Sequence, residues 1–339
     1  MTEGAFTALV LEDEKGKVRA SVKKLPETSL PAGDVTVAVA YSTLNYKDGM
    51  IVNGLGHMVK SYPHVPGIDF VGTVEESSSP RFRPGDEVIL TGWRVGEVHW
   101  GGFAQKARVR AEWLVPLPKG LSPKRAMAIG TAGFTAMLAL MALEEHGLTP
   151  AAGEVIVTGA SGGLGSVAVA LLAACGYRVA ASTGRPELHG YLKELGAAVI
   201  LDRAELAPSR FVEGGKLGQP LGSEHWVGAI DTVGGATLTT LIATMKHWSS
   251  IAVCGLASGN ELHASLIPFL IRGINLLGIE SATCRTQRRQ TAWERLVRDL
   301  PMEALDRMTQ TAALKDIPKL ASEILLGRVR GRTVIDVNA

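Results

Sequence analysis

The sequence predicts an α/β protein in two parts, a β-rich first part and a doubly wound parallel sheet, and three observations carry this. Residues 1–120 hold short β-branched runs punctuated by glycine and proline. From Gly153 onward, short apolar runs alternate with helical patterns. A glycine-rich turn, "VTGASGGLGS", joins one apolar run to the next helix at residues 157–166.

A chain of 339 residues has room for about two domains. Hydrophobic residues make up 46% and charged residues 20%, so sizeable cores can form. A formal net charge of +2 without any basic block argues against a nucleic-acid partner. Cys175, Cys254 and Cys284 are far apart and lack metal-ligand spacing, as expected in a reducing compartment. The start, "MTEGAFTALVLEDEKGK", has acidic residues and no secretory apolar core. Apolar runs such as "SVAVALLAACG" are shorter than a bilayer span. The expectation is a soluble, cytoplasmic protein with no membrane partner.

"DVTVAVAYSTL" alternates as a strand, and "GDEVILTGW" follows a Pro-Gly turn signal. Recurring glycine and proline ("HVPGIDFVG", "RFRPGD", "PLPKGLSP") fit short strands closing into a barrel. "SPKRAMAIGTAGFTAMLALMALEEHG" reads as one helix, with Ser122 as N-cap and Pro123 at the first helical position. "EVIVTG" is then a buried strand, "SVAVALLAACG" a helix, "YRVAAST" a strand, "ELHGYLKELG" a helix and "AAVIL" a strand. "WVGAIDTVGG", "SSIAVCG" and "INLLGIES" supply three more strands, and "IPKLASEILLGRVRGRTVIDVNA" a helix and a last strand. "APSRFVEGGKLGQPLGSEH" reads as a surface loop.

Gly159, Gly162, Gly163 and Gly165 stand where a strand ends and a helix begins. There, glycine permits a tight turn and close approach to a pyrophosphate, and the helix start offers unpaired N–H donors. Ala160 and Ser161 belong to the same loop, so the chain is expected to bind a dinucleotide. The end of the second strand selects which one. An NAD site usually carries a carboxylate there. This sequence has Ser182, Thr183, Gly184 and Arg185, with no acid, which suits a 2′-phosphate and hence NADPH.

"YSTLNYKDGM", "PHVPGIDFVGTV", "AIGTAGFTAMLALMALE" and above all "TGWRVGEVHWGGFAQKARVRAEWLVPLP" resemble the medium-chain dehydrogenase/reductase superfamily, in its acrylyl-CoA reductase and quinone oxidoreductase-like branch. The resemblance spans essentially the whole chain. It implies a GroES-like catalytic domain at 1–126, completed by 302–339, and a Rossmann NADP-binding domain at 127–301, which explains why the glycine loop comes late. Where zinc-dependent members of the superfamily place a cysteine and a histidine, this chain has Asn45 and Ile68, and no metal is expected. His57 and His64 read as loop residues.

Without a Lewis acid, the family's implied reaction is hydride addition to the β-carbon of acrylyl-CoA, giving propionyl-CoA. On the same resemblance Asn45, Tyr46 and Asp48 take the catalytic turn. Tyr46 either donates a proton or packs on the nicotinamide, and Asp48 either orients its neighbours or braces the loop. Tyr41, Arg203, Leu256, Ile267, Ser281 and Asn338 are implied at the coenzyme, although Leu256 and Ile267 read by themselves as core residues. Asp231 ends a strand and is a candidate turn cap, and Thr131 reads as a nicotinamide neighbour or a packing residue. "ATCRTQRRQTAWERL" departs from the family pattern, and Arg285, Arg288 and Arg289 are candidates for CoA phosphates. The loop at 207–224 also looks long for the family. The superfamily tends to dimerise through Rossmann edge strands, so a homodimer is expected. The alternatives are a reductase of quinones or of other α,β-unsaturated carbonyls, and a structural or RNA-binding member.

Overall fold

The computed structural model describes residues 4–206, 212–213, 216–217 and 219–339. The chain divides into two compact units. One comprises Met1–Ala132, Ser281–Val297 and Leu305–Ala339, the other Gly133–Glu280 and Arg298–Ala304. The return to the first unit thus starts at Ser281, well before the expected residue 302. Arg289 accounts for this, since its guanidinium donates to the Thr91 carbonyl at 2.8 Å inside the first unit.

The first unit opens with the antiparallel hairpin β1 (Ala5–Glu14) and β2 (Lys17–Pro26). Then come β3 (Val35–Thr43), α1 (Tyr46–Val52), β4 (Asp69–Ser77), β5 (Glu87–Thr91), β6 (Lys106–Val109) and β7 (Leu114–Pro116). The expected helix is α2 (Pro123–Glu145), with the Arg125 N–H donating to Ser122 Oγ at 3.3 Å. It is not one helix. Gly130, at φ 49° and ψ −158°, breaks it, a conformation open only to glycine. By length and composition α2 could cross a membrane, contrary to the expectation that every apolar run is too short. Its most apolar stretch is 89% buried in protein, so it serves as a core helix.

The second unit follows as β8 (Glu154–Val157), α3 (Gly163–Ala174), β9 (Arg178–Thr183), α4 (His189–Glu194) and β10 (Val199–Asp202). Residues 207–211, 214–215 and 218 of the expected long loop lie outside the described residues. Between them β11 (Val212–Glu213) pairs antiparallel with β12 (Lys216–Leu217). Then come β13 (Trp226–Asp231), α5 (Gly235–Thr244), β14 (Met245–Val253), α6 (Ile267–Arg272) and β15 (Asn275–Gly278). The six strands β10-β9-β8-β13-β14-β15 form one sheet, parallel throughout. Numbered among themselves they run 3-2-1-4-5-6, so the order reverses between β8 and β13. Dinucleotides bind at such a reversal, outside the carboxyl ends of the strands. Ile156, Ala229, Leu241 and Ile251 lie in the core of this unit.

The chain then returns through α7 (Thr286–Asp299), α8 (Met302–Arg307), β16 (Thr309–Ala313), α9 (Ile317–Leu325) and β17 (Arg332–Asp336). β17 pairs antiparallel with β3, giving the sheet β16-β17-β3-β4-β5-β7, with β6 also on β3. Flanked in this way, β3 is buried along much of its length and joins Phe70, Leu90 and Ile335 in the core. This pairing carries Arg332 to the start of α1.

Candidate active site

In the second unit, the strand ends assemble the glycine loop. Gly159 sits at φ 58°, where a Cβ would collide with Thr232 Oγ1, and a Cβ at Gly165 would strike the Gly159 carbonyl. Both glycines are therefore required by contact between loop, helix and strand. Thr158 Oγ1 donates to Asp231 at 2.6 Å and Thr232 Oγ1 to the Thr158 carbonyl at 2.9 Å, which ties β8 to β13 at the reversal. Asp231 also accepts from the Gly234 N–H at 2.9 Å, so its role is the turn cap. Burial raises its pKa.

Gly162 is the N-cap of α3 and offers no side chain. The first-turn N–H groups of Gly163, Leu164 and Gly165 have no intrahelical acceptor, which makes an anion slot. Ala160 donates its N–H to the Ser182 carbonyl at 3.0 Å, so the loop and the end of β9 touch. Ser182 and Thr183 are buried. Arg185 reaches back to Ser161 Oγ, with Nε at 3.1 Å and Nη2 at 2.7 Å. From the end of β10, the exposed Arg203 lays its guanidinium against Gly184, where a Cβ would lie 3.0 Å from Cζ. Leu256 and Ile267 are exposed, not core, and Leu256 follows β14 at the same carboxyl edge of the sheet. The residues of this unit fit a dinucleotide.

Tyr41, Ser281 and Asn338 lie in the first unit. Tyr41 pairs with Asp336 in the β3–β17 register, and Asn338 Nδ2 donates to the Val39 carbonyl at 3.2 Å. The Ser281 carbonyl accepts from Arg289 at 3.1 Å.

The turn at Asn45–Asp48 is a buried polar cluster. Asn45 caps α1 in a capping box with Asp48, whose Oδ2 accepts the Asn45 N–H at 2.9 Å. Asp48 Oδ1 accepts the Ile68 N–H at 3.0 Å, which ties α1 to the start of β4. Asp69 Oδ1 accepts from Thr43 Oγ1 at 2.6 Å and the Thr43 N–H at 3.1 Å. Its Oδ2 accepts from Asn45 Nδ2 at 3.0 Å and the Thr131 N–H at 2.8 Å. Arg332 closes the cluster, donating from Nε to the Ala128 carbonyl at 2.7 Å and from Nη1 and Nη2 to Asn45 Oδ1 at 3.4 Å. A guanidinium only donates, so Arg332 fixes which way the Asn45 amide faces and turns Nδ2 to the carboxylates. The break at Gly130 belongs here too, since a Cβ there would lie 2.7 Å from Arg332 Nη2 and 3.0 Å from Asp69 Oδ2.

Asp48 is 0% exposed and both its oxygens are engaged, so it braces the turn and does not meet a ligand. Asn45 is buried as well, whereas Tyr46 is exposed. Burial, followed by the nearby Asp69, raises the pKa of Asp48 from 3.8 to about 8. Because the folded value exceeds the unfolded one, Asp48 contributes stability that is present below pH 3.8 and lost as pH rises through about 8. Melting temperatures of the protein should therefore fall more steeply between these limits than those of Asp48→Asn. Parallel profiles would show that Asp48 ionises normally in the fold.

Asp69, Thr43, Arg332 and Thr158 were not singled out from sequence. Asp69 lies within "HVPGIDFVG", whereas Arg332 has no local signal. Arg289 is a correction. It is buried, its guanidinium is spent on the Thr91, Ser281 and Ala282 carbonyls, and it stacks 5.3 Å from the Trp93 ring, so it is not available to CoA. Arg285 is exposed and Arg288 partly so. His64 is buried and bonds the Gly96 carbonyl at 2.9 Å.

The paired units, the reversed parallel sheet and the glycine loop define a nucleotide-dependent oxidoreductase architecture, and the chain belongs to the medium-chain dehydrogenase/reductase superfamily. Residues 31–119 match the alcohol dehydrogenase GroES-like domain and residues 163–298 the zinc-binding dehydrogenase family. Among its relatives, the acrylyl-CoA reductase AcuI of Ruegeria pomeroyi is 57% identical over 98% of this chain and 100% of its own length. The yhdH oxidoreductase of Salmonella enterica, solved in complex with NADP, superposes with a TM-score of 0.94 at 51% identity over 98% of this chain and 100% of that one. Bacillus subtilis yhfP, solved with NAD bound, gives 0.93 at 41% over 98% and 100%.

The zinc implied by the second family name does not fit these residues. Ile68 offers no donor, the Asp48 and Asp69 oxygens already accept N–H or O–H groups, and a guanidinium occupies the cluster. Among the described residues, no group of three or more His, Cys, Asp or Glu side chains is placed to hold a metal ion.

Proposed function

We propose that this chain reduces the conjugated double bond of acrylyl-CoA to propionyl-CoA with NADPH. The observation that carries the reading is 57% identity, end to end, with a protein named acrylyl-CoA reductase. The geometry supports it in two places. The carboxyl edge of the sheet offers two hydroxyls and two guanidinium groups after β9 and β10, where a carboxylate would favour NAD. The catalytic turn lacks a metal donor set, which favours a substrate whose own carbonyl takes up the developing charge. Bound NADPH supplies the hydride. The glycine loop holds the pyrophosphate, and Arg185 and Arg203 face the 2′-phosphate. Asn45, Asp48 and Arg332 set the pitch of α1. Hydride arriving at the β-carbon would send the electron pair to the thioester oxygen as an enolate. Tyr46, at the first position of α1, would donate a hydrogen bond to that oxygen or protonate the α-carbon, regaining its proton from water. With NADPH deuterated at the transferred position, the label should appear at the β-carbon of propionyl-CoA. Label at the α-carbon, or an unlabelled product, would refute this course.

A homodimer and a cytoplasmic location belong to the same proposal. None of the three cysteines is in a disulfide. In the second unit Trp248, Leu266, Leu270 and Ile271 expose 77, 73, 81 and 61% of their surface. Trp248 lies on β14 and the other three just before β15, which among the described residues pairs only with β14. An apolar patch beside an open strand edge suits a twofold partner of the same sequence. Light scattering should give twice the chain mass, and Leu270→Glu should lower it towards one. A wild-type monomer at micromolar concentration would contradict the dimer.

A further inference from the structure

We propose that Ser161 is a positioning residue for coenzyme selectivity. Although it lies on the pyrophosphate loop, it acts by holding Arg185 in place for the 2′-phosphate. This rests on the coenzyme reading above. Two donors of one guanidinium, Nε at 3.1 Å and Nη2 at 2.7 Å, converge on Ser161 Oγ. Ser161 Oγ is also 2.8 Å from Thr183 Oγ1, and the Arg185 N–H donates to Thr183 Oγ1 at 3.2 Å. Ser161 and Thr183 are each 3% exposed, so the three groups form a packed unit joining the loop after β8 to the loop after β9.

The proton order follows from chemistry. Arginine only donates, so Ser161 Oγ accepts from it, and the Ser161 proton goes to Thr183 Oγ1. Thr183 Oγ1 accepts from Ser161 and from the Arg185 N–H, which leaves its own proton to donate elsewhere. A phosphate oxygen is solely an acceptor and matches both this hydroxyl and a guanidinium. An arginine held before the ligand arrives loses less freedom on binding, and that gain applies only to a ligand with a charge for it to meet. Direct contact between Ser161 and the pyrophosphate would instead serve NADPH and NADH alike.

The test is titration of the full-length protein with NADPH and with NADH, for wild type, Ser161→Ala, Ser161→Thr, Arg185→Ala and the double alanine variant. Ser161→Ala should weaken NADPH about tenfold and NADH less than about twofold, because ordering an arginine that is no longer held costs only the ligand that needs it. The double variant should bind NADPH no more weakly than Arg185→Ala, the non-additivity expected of groups acting as one unit. Ser161→Thr, which keeps the hydroxyl, should recover most of the loss. Equal losses for both coenzymes, additive losses in the double variant or failure of the threonine rescue would each overturn the proposal. Equal wild-type affinities would refute the coenzyme reading itself, and this inference with it.

Discussion

Replacing Arg332 with methionine should destabilise the first unit by about 3–5 kcal/mol, the usual consequence of removing one partner from a buried ion cluster. Arg332 is 2% exposed. Its loss strips the Ala128 carbonyl and Asn45 Oδ1 of their donors and removes the guanidinium whose charge Asp69 and then Asp48 favour. Methionine restores some volume but no charge. Arg332→Lys should fall between, since an ammonium keeps the charge but cannot span Ala128, Thr43 and Asn45 in one plane. Burial lowers the pKa of Arg332, opposed by Asp69 and then Asp48. The urea midpoint of the first unit's transition reports the effect. A loss below about 1 kcal/mol would mean that the carboxylates are satisfied by their N–H and O–H donors alone.

Arg185→Ala should weaken NADPH binding by about 10- to 100-fold and leave NADH nearly unchanged, since charge-assisted bonds contribute roughly 1.5–3 kcal/mol each. Ser182→Asp should discriminate against NADPH further by placing a carboxylate at the end of β9. Gly184→Ala probes the second arginine. The added methyl first meets the Arg203 guanidinium, at 3.0–3.1 Å, the far end of a flexible side chain. The fold should therefore tolerate it while Arg203 is displaced and NADPH affinity drops. Losses shared equally by NADPH and NADH would assign Arg185 and Arg203 to the fold and not to the phosphate.

The second unit was legible because each of its signals is local. Strand and helix alternate, the glycines run from the end of β8 into the first turn of α3, and Ser182 to Arg185 span the end of β9. The catalytic turn was legible only as a motif. Asp48 and Asp69 are 21 residues apart in sequence, and Arg332 meets Asn45 across 287 residues through the pairing of β17 with β3. No window of sequence contains that pairing, so the burial that favours Asp48 as a brace over a residue orienting its neighbours could not be read. Arg289 misled for the converse reason, since a basic helix face ordinarily reads as solvated, whereas this one residue turns inward to three carbonyls. Leu256 and Ile267 are apolar yet exposed, because they sit outside the strand ends and not between the sheet and its helices. The break in α2 hid within an unbroken apolar pattern, because only the backbone angles of Gly130 reveal it.

The most direct test of the central claim is a comparison of steady-state rates with NADPH for acrylyl-CoA, crotonyl-CoA and 1,4-benzoquinone, with thioester product identified by mass. Oxidation of NADPH with acrylyl-CoA should yield propionyl-CoA at a kcat/KM about tenfold or more above that for the quinone, since selectivity is the ratio of these values. A quinone rate that exceeds the thioester rate, or no turnover of any enoyl-CoA, would contradict the account.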